Sequence, residues 1–366
     1  MRDEISACAG CHNQCEFVTA EVFARGSSAV ATPRKALVVL AALSGELGWD
    51  EAVVDIVYSG LSSGAQHAVC VYRNSSGLWP DETRWLRATR REIVLAGRAP
   101  KWACDIAERA RSAGDPYGLG GSWELVTAPV VLWTDAATRF MDPGVASLWP
   151  RLVGPALSPG GLVAGGSSGF ELYDLGFDDD AAEAAKRVAA QVAAMQSTGA
   201  TVVTDSPEAA WMAREVWPGW GIKLPTPVLH LATWLAKRLQ RGDEHVRIGP
   251  LTFQDPSYLA RYLGDLESPR QLLRHSGADL HEMTRHGEEA VPACSFHGAA
   301  PGAWTRSLAQ ARAASARAVG AEAIVTASPF DHAELNSVMP TSSLWTVVHD
   351  ALASGAARHK PVPLPA

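Results

Sequence analysis

The chain has no stretch of 18 uninterrupted apolar residues, so no segment of it reads as a membrane-spanning helix. Its start, MRDEISACAG, is polar and has neither the basic leader nor the apolar core of a secretory signal. No run of Lys or Arg stands out and the formal net charge is −7, which argues against nucleic acid or an anionic membrane surface as a partner. Cysteine is sparse: there are six (8, 11, 15, 70, 104 and 294), half of them within eight positions, unlike a secreted disulfide framework. These absences predict a cytoplasmic protein whose clustered thiols bind metal or do redox work.

What is present divides the 366 residues into three parts, more than one ordinary core would hold. Residues 1–122 read as helices: TPRKALVVLAALSG has Pro33 at a helix start and Gly45 at its end, and DETRWLRATRREIVLAG runs from a capping Asp81 to Gly97. Further on, GATVVTDSPEA at 199 and GAEAIVTASPFDH at 320 repeat one pattern: Gly-Ala, a short β-branched run, then Ser-Pro. Each follows an Ala-rich amphipathic helix, AAEAAKRVAAQVAAMQSTG or WTRSLAQARAASARAVG. Helix, buried strand and turn predict two tandem α/β domains, 123–245 and 246–366, with sites in the loops at the strand C-terminal ends.

TFQDPSYLARYLGDLESPRQLL, with GADLHEM, ACSFHGAA and IVTASPFDH after it, resembles the cysteine-rich CCG domain of the iron–sulfur oxidoreductase family that includes heterodisulfide reductase catalytic subunits and the glycolate oxidase iron–sulfur subunit. SSGFELYDLG, VVTDSPEA and VLHLATWLA resemble the same domain more loosely, and TPRKALVVL and WLRATRREIVLAG resemble the family's helical ferredoxin-like domain. The resemblance implies a ferredoxin-like helical domain over 1–122, then two CCG-like α/β domains related by a pseudo-twofold.

The departures from that family fall on the cysteines. In the second CCG-like domain Ser257 stands for the first Cys and Gln254 for the His before it. The pair is Ala293-Cys294, and Ser328 and Asp331 replace the closing two. In the first, the pair is Ser167-Ser168 and the closing positions are Ser206 and Ala209. A serine hydroxyl is a far poorer iron ligand than a thiolate, so no cluster is expected in either α/β domain.

The ferredoxin-like part keeps more. Laid over C-x2-C-x2-C-x3-C-P, the first run places Ile5, Cys8, Cys11 and Cys15; YSGLSSGAQHAVCV places Gly60, Ser63, Gln66 and Cys70 in the second. Because the fourth Cys of each run ligates the other cluster in two-cluster ferredoxins, one site is assembled from Ile5, Cys8, Cys11 and Cys70, leaving Cys15 as a spare thiol. Three thiolates suit a [3Fe–4S] centre, or a [4Fe–4S] centre with a fourth ligand from His12 or His67. The alternatives are a zinc site of Cys8, Cys11, Cys15 and one His, or a relic that folds without metal.

Elsewhere, Cys104 in KWACDIAERA reads as a buried small hydrophobe. Cys294 and His297 are spaced as a Cys-His pair or as a leftover thiol beside a loop His. Asp331-His332 reads as a metal or acid–base pair, or, with Asp331, as a helix cap. Two functions follow. One is an electron-transfer or accessory subunit with at most one iron–sulfur cluster, working with flavin or iron–sulfur subunits of a larger dehydrogenase. The other is a cluster-free subunit whose interdomain cleft, rimmed by Ser167, Ser168, Ser257, Cys294, His297 and Ser328, binds a ligand or a partner.

Overall fold

The computed structural model describes residues 1–12, 14–70, 72, 80–120, 128–153, 161–164, 166–244, 247–293 and 304–360. Among the described residues up to 120 every regular element is a helix. The Thr32–Ser44 helix carries Pro33 in its first turn and ends on Gly45, whose φ of 83° is the left-handed conformation that glycine adopts without cost. The Glu82–Leu95 helix is capped by Asp81, whose Oδ1 accepts the Thr83 N–H at 2.9 Å.

Two four-stranded parallel sheets follow. The first contains β1 (Val130–Thr134), β2 (Gly161–Ala164), β3 (Thr201–Thr204) and β4 (Leu229–His230), in the order β2-β1-β3-β4. After β5 (Leu239–Arg241), the second contains β6 (Ile248–Gln254), β7 (Ala278–Leu280), β8 (Ala323–Thr326) and β9 (Thr341–Ser343), in the order β7-β6-β8-β9. The two orders are the same, so the repeat seen at 199 and 320 is a repeat of topology. β10 (Ala357–His359) pairs antiparallel with β5, tying the end of one half to the end of the other.

The halves also pack reciprocally. The Pro329–Leu335 helix after β8 lies on the Ala136–Met141 helix after β1, and the Pro207–Trp211 helix after β3 lies on the Tyr258–Tyr262 turn after β6. Such exchange is what a twofold relation between like units produces. Strand alternation separates the cores: Val131 and Trp133 of β1 join the core shared with the N-terminal helices, whereas Val130 and Leu132 join Leu251, Phe253 and Val325 between the sheets. Tryptophans 85, 133, 149, 217 and 234 are buried in these cores.

The repeated Ser-Pro has one local meaning in both halves. Ser206 Oγ accepts the Ala209 N–H at 3.1 Å and Ser328 Oγ accepts the Asp331 N–H at 3.4 Å, each serine capping a helix that begins with proline. Asp331, read as a cap, is therefore the capped residue. Cys104, read as buried, is exposed: the Lys101–Ala113 helix buries Ala103, Ile106, Ala107 and Ala110, and position 104 lies off that stripe.

Candidate metal centre

Four of the cysteines approach one another near the N-terminus. The Arg2–Ala9 helix buries Ile5 and Cys8. The Cys11 N–H then donates to the Cys8 carbonyl at 3.1 Å. A 3-10 helix, Gln14–Val18, packs on another, Ala65–Ala68, which brings Cys15 toward the segment that ends in Cys70. Cys8 lies within electrostatic range of Cys15 and Cys70, and Cys15 within that of Cys11 and Cys70. Cys8 is buried and the other three are half-buried.

Burial, reinforced by the Glu82 carboxylate, raises the Cys8 thiol far above its ordinary range and pushes Cys15 up to about 12. Left alone, these two thiols keep their protons; coordination by a metal reverses that balance, because a coordinating thiol is deprotonated outright. Beside them lies a buried triad. Lys35 Nζ is 2.7 Å from Glu82 Oε1 and 3.3 Å from Glu21 Oε1, and the Thr32 hydroxyl donates to Glu82 Oε2 at 2.7 Å.

The remaining positions of the two runs are placed as follows. Ile5 is fully buried in the core. A Cβ on Gly60 would stand 2.8 Å from Leu86 Cδ1. Ser63 Oγ accepts the Ala65 N–H at 3.3 Å and Gln66 is buried. His12 is exposed, and His67 is buried with Nε2 3.4 Å from Asp81 Oδ1. Cys15, read as spare, lies on the 3-10 helix that packs on Ala65–Ala68, within electrostatic range of Cys11 and Cys70. Among the described residues no group of three His, Cys, Asp or Glu could hold a single metal ion. An iron–sulfur cluster makes a different demand, since each cysteine takes its own iron and the sulfurs stand apart around the cluster.

The serines in the strand-end loops bond locally. Ser167 Oγ donates to Glu171 Oε2 at 2.8 Å and accepts the Gly169 N–H at 3.0 Å; the Ser168 N–H donates to Asp135 Oδ1 at 3.2 Å. Ser257 Oγ accepts from Arg261 Nη1 at 3.1 Å. Ser167, Ser168 and Ser328 are buried, so they do not face an open cleft. Cys294 and His297 lie outside the described residues.

Two further groupings stand outside the cysteine and serine motifs. One is the Lys35 triad. The other is a set of buried acids at the C-terminal edge of the first sheet: Asp135, Glu171, Asp205 and Glu208, none in an ion pair among the described residues. Burial raises all four, Asp205 and Glu208 to about 7 each. In the second half the corresponding Asp255 is held by Arg270 at 2.7 and 2.9 Å. The signal was an Asp directly after a buried run, in VVLWTD, TVVTD and LTFQD.

No family model matches the chain. A protein of Chromohalobacter salexigens named "Probable membrane-anchored ferredoxin" is 32% identical over 120 residues, covering 31% of this chain and 18% of that protein. The chain thus matches only a minor part of that relative's length. No helix among the described residues is long and apolar enough to cross a membrane. In fold, the chain is similar to the crystal structure of a hypothetical protein from Helicobacter pylori, with a TM-score of 0.55 at 10% identity, over 87% of this chain and 68% of that one. At that identity the likeness concerns the fold alone.

Proposed function

We propose that the chain is an electron-transfer protein holding one iron–sulfur cluster on Cys8, Cys11, Cys15 and Cys70. The observation that carries this reading is the approach of four cysteines from two separate segments to one another, beside a buried charged triad. Partial similarity to a protein named a ferredoxin supports it. A four-cysteine set suits a [4Fe–4S] cluster, and three of the four suit a [3Fe–4S] cluster. Such a cluster supplies one-electron transfer.

The chain's own residues do the rest. Burial of Cys8 limits water access, and Lys35 offsets Glu82, the carboxylate that acts on the thiols. With serines at the family's ligand positions, the two α/β halves act as the platform on which other subunits of an oxidoreductase dock, exchanging electrons with a flavin or iron–sulfur dehydrogenase partner. Protein purified under strict anaerobiosis should contain about four irons and four acid-labile sulfides per chain. Iron-free protein that also refuses reconstitution would sink the proposal in favour of a cluster-free binding subunit.

A further inference from the structure

The start of the Glu82–Leu95 helix, the Phe170–Leu175 helix and the segments after β3 and β6 line an open pocket of ≈ 640 Å³, within the usual size range of small-molecule sites. Its walls include four rings, Tyr173, Trp211, Trp220 and Tyr262, and three arginines, Arg84, Arg87 and Arg261, of which Arg84 is paired with Glu4. The rings brace one another: Tyr173 meets Trp220 edge-on with centroids 5.4 Å apart, and Trp211 meets Tyr262 at 5.8 Å. The aromatic wall is therefore formed in advance of any ligand.

Arg87 is held rigidly at this wall. Its Nε donates to Asp174 Oδ1 at 2.9 Å, its Nη2 donates to the Tyr258 hydroxyl, and its guanidinium carbon lies 4.7 Å from the centroid of Trp211. Its Nη1 makes no hydrogen bond to protein among the described residues and is not sealed off from the pocket it lines. Fully buried Arg90 shares Asp174 at 3.4 Å, so two guanidinium groups divide one carboxylate and the wall carries surplus positive charge. Asp81 and Glu215 also line the pocket, the latter paired with Arg214 at 2.6 Å.

A rigidly held guanidinium with a free N–H in a pocket wall is a ready donor, and an anion in the pocket would accept a charge-assisted hydrogen bond from it. We propose that this pocket binds a planar aromatic molecule carrying a phosphate or carboxylate, its ring against Trp220 and Tyr173 and its anion on Arg87 Nη1. Binding does not depend on a cluster. The pocket nonetheless shares a helix with the thiols, since Asp81 and Arg84 line it while Glu82 and Trp85 act on Cys8.

Equilibrium dialysis of the full chain against FMN, riboflavin, AMP and inorganic phosphate tests this. FMN or AMP should bind saturably at one site and be displaced by phosphate, and the matching unphosphorylated compound should bind at least tenfold more weakly. FMN alone would identify a fused three-ring ligand, and AMP a purine nucleotide. Trp220→Leu should weaken binding about tenfold or more, the size of one aromatic stack, whereas Trp220→Phe should keep most of it. Absence of binding by both nucleotides, equal affinity for riboflavin and FMN, or unchanged binding by folded Trp220→Leu would overturn the proposal.

Discussion

Lys35 Nζ stands 2.7 Å from Glu82 Oε1, with both side chains closed off from solvent and Glu82 acting on the thiols of Cys8 and Cys15. Lys35 thus ties three segments together: its own helix, Glu21, and the capped start of the Glu82–Leu95 helix. Its charge also keeps two buried carboxylates tolerable beside the thiols.

Removing that charge should unfold the helical part first. Lys35→Met leaves Glu21 and Glu82 facing each other without a cation, and breaking a buried pair from one side costs about 3–5 kcal/mol. Urea unfolding should show a loss of that order. Glu82→Gln, which leaves Lys35 its contact with Glu21, should lose less. The triple change Lys35→Met, Glu21→Gln, Glu82→Gln should recover much of the loss, because no buried charge remains. Equal stability of wild type and Lys35→Met would show that the triad contributes nothing.

Backbone fit gives a second test. Gly176 has φ of 89°, and a Cβ there would stand 2.5 Å from Arg90 C and from Arg91 N. Left-handed strain and a clash with backbone act together, so Gly176→Ala should cost about 3 kcal/mol or more. Gly199, with the same φ but nothing within 4 Å, supplies the control: Gly199→Ala carries the strain alone. Thermal denaturation of the two variants should separate them clearly, and equal melting points would refute the packing argument.

The parts of this molecule that were legible in the sequence are those set by neighbours along the chain. GATVVTDSPEA and GAEAIVTASPFDH are each a buried strand, a serine cap and a proline at the helix start, and each piece depends on a few adjacent residues. Lys35 was not legible, since a lysine in a helix ordinarily points to water and only the arrival of Glu21 and Glu82 reverses that. The nearness of Cys15 to the segment ending in Cys70 is of the same kind. Motif spacing gives distance along the chain, whereas the packing of Gln14–Val18 on Ala65–Ala68 is a contact between distant segments.

The buried acids predict a pH dependence with a definite sign. Asp205 and Glu208 are raised to about 7 by burial, while in the unfolded chain they return to the ordinary carboxylate range. Between those limits the folded state binds more protons, so their contribution to stability is present in acid and is lost as pH rises through about 7. The double variant Asp205→Asn, Glu208→Gln removes this term. It should match wild type near pH 4 and be more stable near pH 8, by a few kcal/mol in denaturant titrations. A stability difference that does not change with pH would contradict the assignment.

The last prediction decides how the thiols work together. In the ferredoxin frame Cys15 is spare, so Cys15→Ala would leave a cluster on Cys8, Cys11 and Cys70 intact. In the structure Cys15 lies within electrostatic range of both Cys11 and Cys70, so it should be a ligand like the others. Alanine at 8, 11, 15 or 70 should therefore each lower bound iron and visible absorption, and Cys104→Ala, on an exposed helix position, should leave both unchanged. The metal-free protein adds a readout that needs no cluster. Alkylation proceeds through the thiolate, so exposed Cys104 should react well before Cys8, whose proton is held by burial and Glu82. Full iron in Cys15→Ala beside none in Cys70→Ala would restore the three-thiol site, and fast labelling of Cys8 would show that the pocket around the thiols is open.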